Sequence, residues 1–184
     1  GTLRVDGTTE IDGTLTATGG ALDLNGDVLA AGTGTLTLGT GNLTASGATV
    51  ALNGLTALTS AGTVTLDRGA AQALNVNSNV AFNDLVVAAG SVITQGGTAG
   101  LSVGNDLTTN ANVTLGGGAS AVTGALSVAS GTLDMNGQSL TVGGNATLTA
   151  NLTTGAGTLT VTGTTEIDGV LTATGGALNL DGNL

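Results

Sequence analysis

Leu or Val recurs at every second position in short runs, and glycine or Asn-Gly ends nearly every run. "GTLTATGG" at 13–20, "ALDLNGD" at 21–27, "GTLTLGTG" at 34–41, "ATVALNG" at 48–54 and "GTVTLDRG" at 62–69 share this form, as do "GTLDMNGQSLTVGG" at 131–144 and "GTLTVTG" at 157–163. Thr, Ser, Asp or Asn fills the alternate positions. A two-residue period is that of a strand with one buried face, and glycine marks the turns. No stretch keeps an i, i+3, i+4, i+7 apolar spacing free of glycine, so helices are not expected.

The core must be narrow. The 184 residues hold 34 Gly but no Pro, Cys, His, Trp or Tyr; Phe82 is the one aromatic residue and Met135 the one sulfur. Leu, Val, Ile and Ala alone must fill the interior, which suits closely apposed walls. A sandwich or barrel built from many short strands usually wants larger residues inside. A parallel β-solenoid of stacked short strands does not, and glycine and alanine let its backbone turn tightly at the corners. Collagen is excluded by the missing Gly-X-Y period, and disorder by the 40% hydrophobic fraction.

The chain also repeats itself. "GTTEIDG" stands at 7–13 and again at 163–169, and residues 1–28 match 157–184 at 21 of 28 positions. Three of the mismatches exchange Asp and Asn. Residues 1–156 therefore read as one solenoid unit, and 157–184 as the start of the next, continuous with the first: a window on a tandem array. Runs of this length imply about 20 residues per turn, with longer excursions around 70–112. One unit then makes roughly eight turns and advances about 40 Å at the spacing of neighbouring strands. The two copies are expected on equivalent turns, related by a translation and a twist.

"FNDLVVAAGSVITQGG" at 82–97 and "SGTLDMNGQSLTVGGNATLTANLTTGAGTLTVTG" at 130–163 resemble the β-strand repeats of giant bacterial surface proteins. The likeness is to filamentous-haemagglutinin-type adhesins and autotransporter passengers, and it extends over nearly the whole chain. It implies a right-handed parallel β-helix, export, and adhesive or structural work outside the cell or on its surface.

Charge narrows the partners. Twelve acids face only Arg4 and Arg68, a net charge of −10. Phosphate backbones and anionic membrane surfaces need clustered cations, so neither nucleic acid nor membrane is an expected partner. No apolar run has the length of a membrane helix. Self-association along a fibre axis is the expected partnership, with adhesion to a surface or glycan as the alternative. In that alternative, Phe82 and the 70–112 segment are the candidates for an exposed binding cluster.

Little in the composition supports catalysis. Without His, Cys, Lys or Tyr, the usual bases and nucleophiles are missing. Glu10/Asp12 and their copies Glu166/Asp168 place two carboxylates on one strand face, and a glycosidase uses such a pair, but no aromatic platform for a sugar accompanies them. They read as a solvated acidic edge, and no enzyme is expected. Cofactors are not expected either. The one candidate is calcium, on the oxygen ligands of Asp23, Asn25 and Asp27 in "DLNGD"; the glycine of this stretch is not where an EF-hand loop needs it, and an Asn-Gly turn explains the motif. Asn75, Asn77 and Asn79 read as ladder and turn residues. Asn42, Asn112, Asn145 and Asn151 open glycosylation triplets. The Thr-x-Thr series at Thr14/Thr16/Thr18, Thr35/Thr37 and Thr158/Thr160/Thr162 would suit an ice-binding face only if it recurred once per turn. The spacing in the sequence does not suggest this, and β-propensity accounts for the threonines.

Overall fold

The computed structural model describes residues 1–30 and 32–184. Among them the alternating runs form 26 short strands and no helix, and every strand pairing is parallel. The strands follow one another around three faces. The first face holds nine: Thr2–Val5, Ala21–Leu24, Leu43–Ala45, Thr63–Leu66, Asp84–Val87, Leu107–Thr109, Leu126–Val128, Ala146–Leu148 and Thr165–Ile167. The second face also holds nine, from Thr9–Ile11 to Leu171–Thr172. On the third face, three strands beginning at Thr14–Thr16 are followed, after a gap, by five ending at Leu178–Leu180. The chain is a β-solenoid of about nine turns.

Register gives the turn length. Leu3 pairs with Leu22, and the column runs on through Leu43, Val64, Leu85, Leu107, Leu126, Ala146 and Thr165. The shortest turns take 19 residues, as between Asn25 and Asp6, and the longest 24, as between Thr49 and Ala73 on the second face. The excursions expected around 70–112 amount to a few residues: the turn from Thr49 to Ala73 takes 24 and that from Leu85 to Leu107 takes 22, while Val64 to Leu85 takes 21. Residues here are also redistributed. The second-face strands lengthen to Ala71–Val76 and Val92–Gly97, while the third face carries no strand between Ser60 and Ser102. Single bridges, Leu58 to Val80 and Phe82 to Val103, carry the third face across that gap.

Alternation decides what is buried. In Gly34–Gly39, Leu36 and Leu38 point inward while Thr35 and Thr37 point out. The inward aliphatics form one continuous core from Ile11 to Val161. Corners stack backbone on backbone, which is why glycine recurs at the turn period. A Cβ at Gly163 would lie 2.6 Å from the Gly144 carbonyl, and one at Gly144 would lie 2.7 Å from that of Gly124. Real Cβ atoms do not pack so closely, so a side chain at these corners would force neighbouring turns apart.

The two copies lie on one solenoid but not on equivalent faces. Thr2–Val5, Thr9–Ile11 and Thr14–Thr16 occupy the first, second and third faces. Their counterparts Leu159–Val161, Thr165–Ile167 and Leu171–Thr172 occupy the third, first and second. The expected translation with a small twist is therefore replaced by a step of one face. The cause is the turn length: eight turns from Leu3 reach Thr165, six residues beyond its copy Leu159, and six residues is one face.

Candidate functional site

Side-chain chemistry concentrates at the corners, where the backbone ladder breaks. Asn42 Oδ1 accepts the amide of Thr63 at 3.0 Å, Asp106 Oδ1 that of Ala125 at 2.7 Å, and Asn145 Oδ1 that of Thr164 at 3.0 Å. Asp84 Oδ1 accepts both the Asp106 amide at 3.2 Å and Asn105 Nδ2 at 2.7 Å. All four residues stand at the beginning of a first-face strand. On the second face, Asp27 and Asn112 do the same for Thr49 and Thr132, each at 2.9 Å. Each bond satisfies an amide one turn further along that would otherwise have no partner. This turn-to-turn capping was not foreseen from the sequence; its signal is Asp or Asn just before a strand, facing a strand start one turn later.

The same rule explains three of the four glycosylation triplets. In Asn42-Leu43-Thr44, Asn112-Val113-Thr114, Asn145-Ala146-Thr147 and Asn151-Leu152-Thr153, the asparagine is exposed, the middle residue buried and the threonine half-buried. At Asn42, Asn112 and Asn145 a capping asparagine, an inward aliphatic and an outward threonine reproduce the triplet through strand alternation; Asn151 shares the alternation without the cap.

The calcium candidates serve three separate contacts. Asp23 faces Arg4 across the ladder at 3.9 Å, Asn25 Nδ2 donates to Asp6 Oδ1 at 2.8 Å, and Asp27 lies around the corner on Thr49. Arg4 Nε also donates to Asp6 at 2.8 Å. That bond first, and then the one from Asn25, holds the Asp6 carboxyl below the ordinary aspartate value, while the Arg4 guanidinium is raised. Among the described residues no three His, Cys, Asp or Glu side chains are grouped as a metal site.

Glu10 and Asp12 line a shallow hollow of about 240 Å³ with the rest of Thr9–Leu15. The copy of this stretch shows what the hollow is. A Cβ at Gly13 would meet nothing within 4 Å, whereas one at Gly169 would meet Ala150 of the preceding turn. The hollow is thus a place that no other turn covers within residues 1–184. Glu166 and Asp168 project from the first face into solvent.

Phe82 is not an exposed binding residue. It is 1% accessible and fills the interior where the third face lacks a strand, so it cannot anchor a partner. Nor do the asparagines at 75–79 form a ladder: Asn75 lies between Ala51 and Gly96. Asn77 instead binds the previous turn, with Nδ2 donating to the Asn53 and Leu55 carbonyls at 2.7 and 2.9 Å.

The threonines stack more regularly than their sequence spacing suggested. Thr14 pairs with Thr35, and Thr16 with Thr37 and then Thr59, on three successive turns of the third face. The regularity was hidden because successive turns differ in length. Ala57 interrupts the first column.

No protein-family model, curated protein or solved structure matches the chain.

Proposed function

We propose that the chain is a segment of a long extracellular structural filament, a fibre, stalk or matrix strand on a bacterial surface. The observation that carries this reading is the placement of both copies in one uninterrupted solenoid with the same internal register. Leu3 pairs with Leu22 as Leu159 pairs with Leu178, and Val5 with Leu24 as Val161 with Leu180. A unit that stacks on its own copy extends without new design, which is the property a length-giving element needs. Stability comes from turn-on-turn hydrogen bonds and stacked aliphatics, with no catalytic, metal or cofactor role. The acids on the outside keep neighbouring filaments apart. The bacterial and extracellular placement rests on the resemblance of the repeats to surface adhesins. Asn42, Asn112, Asn145 and Asn151 are candidates for glycan attachment on the outer wall. Denaturing electrophoresis of native material tests the reading: a filament component runs as a giant chain of many units. A chain of one unit that stays monodisperse in solution would contradict it.

The stacked Thr14/Thr35 and Thr16/Thr37/Thr59 columns favour one second reading, an ice-binding face. An ice-recrystallisation assay decides it: inhibition abolished by Thr37→Tyr would support that role, and no inhibition by the parent chain removes it.

A further inference from the structure

We propose that tandem copies of the unit wind around the fibre as a screw, each copy turned by one face, a third of a turn, from the one before. The inference rests on the tandem-array reading and gives it a definite geometry. Its basis is that the same local structure forms on different faces. The Thr9 amide donates to the Asp27 carbonyl at 2.8 Å on the second face, and the Thr165 amide donates to Asn183 at 2.8 Å on the first. The Asn25 amide reaches Val5 at 2.9 Å, and the Asp181 amide reaches Val161 at the same distance. Leu3 to Leu22 and Leu159 to Leu178 are turns of equal length. Over the repeated 28 residues the corners and the alternation therefore do not distinguish one face from another.

The spacing of the copies then sets the pitch. The two stand 156 residues apart, whereas eight turns take Leu3 to Thr165. A unit is thus eight turns less one face. Three units, about 470 residues, restore the original face after about 23 turns, or ~110 Å at the ~4.8 Å separation of parallel strands.

Surface chemistry follows the screw. Glu10 and Asp12 point outward from the second face, and Glu166 and Asp168 from the first. In a longer array the third copy would set the doublet on the third face. Like charges then never line up along one side at the unit spacing, and no side of the fibre lacks them. An in-phase array would gather every doublet on one side and leave two sides without any, open to lateral pairing.

The chain has no cysteine, so a walk of engineered disulfides can follow the phase. The outward first-face positions Arg4, Asp23, Thr44, Thr65, Val86, Thr108, Ser127, Thr147 and Glu166 are register neighbours in that order. Adjacent parallel strands bring such pairs within the ~4.4–6.8 Å Cα range of a disulfide. Eight double-cysteine variants, one for each neighbouring pair, should each lose both free thiols on mild oxidation. The walk from Arg4 then ends at Glu166. A walk that closes instead on pairs ending at Thr160, the copy of Arg4, would overturn the screw and leave the filament reading standing. Pairs that stay open throughout would overturn the solenoid, and both readings with it.

Discussion

Leu3 and Leu159 are the same residue in the same local sequence, yet Leu3 is 54% exposed and Leu159 is 0%. The reverse holds one turn on: Leu22 is 2% exposed and its copy Leu178 is 40%. Neither the residue nor its strand decides burial here. It is decided by whether a turn lies above and below, because the core is one side chain deep and runs along the axis. Within residues 1–184 the same sequence therefore stands once with a turn on one side only and once with turns on both, and the two serve as each other's control.

The largest expected effect breaks that comparison at its centre. Leu159→Ala should cost about 2–5 kcal/mol in urea unfolding, the range for emptying a buried leucine site. In residues 1–184 taken alone, Leu3→Ala should stay within about 0.5 kcal/mol, as exposed substitutions do. Equal losses at the two sites would mean that axial stacking is not the source of burial. Gly163→Ala comes next. Its Cβ would press on the Gly144 backbone at 2.6 Å, while at Gly7 it would meet nothing within 4 Å. A loss of about 1–3 kcal/mol is expected at Gly163, the range for forcing extra volume into a packed site, and almost none at Gly7.

A smaller effect should make the copies agree. Thr9 Oγ1 and Thr165 Oγ1 are both buried without a hydrogen-bond partner. Replacing such a hydroxyl with a methyl group removes an uncompensated polar atom. Thr9→Val and Thr165→Val should each raise stability by about 0.5–1.5 kcal/mol, read from the shift in unfolding midpoint. Opposite signs would show that the two copies differ in local structure as well as in face.

The smallest effect separates the copies by chemistry. Arg4, Asp6 and Asn25 are replaced in the second copy by Thr160, Thr162 and Asp181. Arg4 and Asn25 hold Asp6 below its ordinary value of 3.8. A depressed carboxyl pKa favours the folded state above the unfolded value, and that contribution is lost as pH falls through the folded value. Any acid sensitivity of this corner therefore lies below about pH 3.8, and solvent screening keeps it slight. An NMR titration should place the Asp6 midpoint below 3.8, and Arg4→Thr should move it upward.

Much of the fold was legible because a strand period of two and glycine punctuation are local signals. Leu36 and Leu38, inward between Thr35 and Thr37, could be placed from alternation alone, and so could the approximate length of a turn. The face on which a segment lands could not. It depends on the sum of eight turn lengths, and an error of two or three residues in a few turns shifts it by a whole face. The path through residues 70–112 was misjudged for a related reason: Ala- and Asn-rich runs look irregular until Val80 and Phe82 are seen carrying the third face with single bridges. The candidate residues were half legible. Asp27, Asn42, Asn112 and Asn145 were singled out for calcium or glycans, and their common role as caps became visible only when residues one turn apart were brought together.

Pulsed dipolar spectroscopy on spin labels at Asp23, Thr108 and Glu166 tests the continuous parallel stack most directly. These outward residues share one column, with four turns from Asp23 to Thr108 and three more to Glu166. The three separations should be about 19, 14 and 34 Å at ~4.8 Å per turn, with the longest close to the sum of the other two. A 23–166 distance well short of that sum would mean that the chain folds back on itself, and the solenoid account would fail.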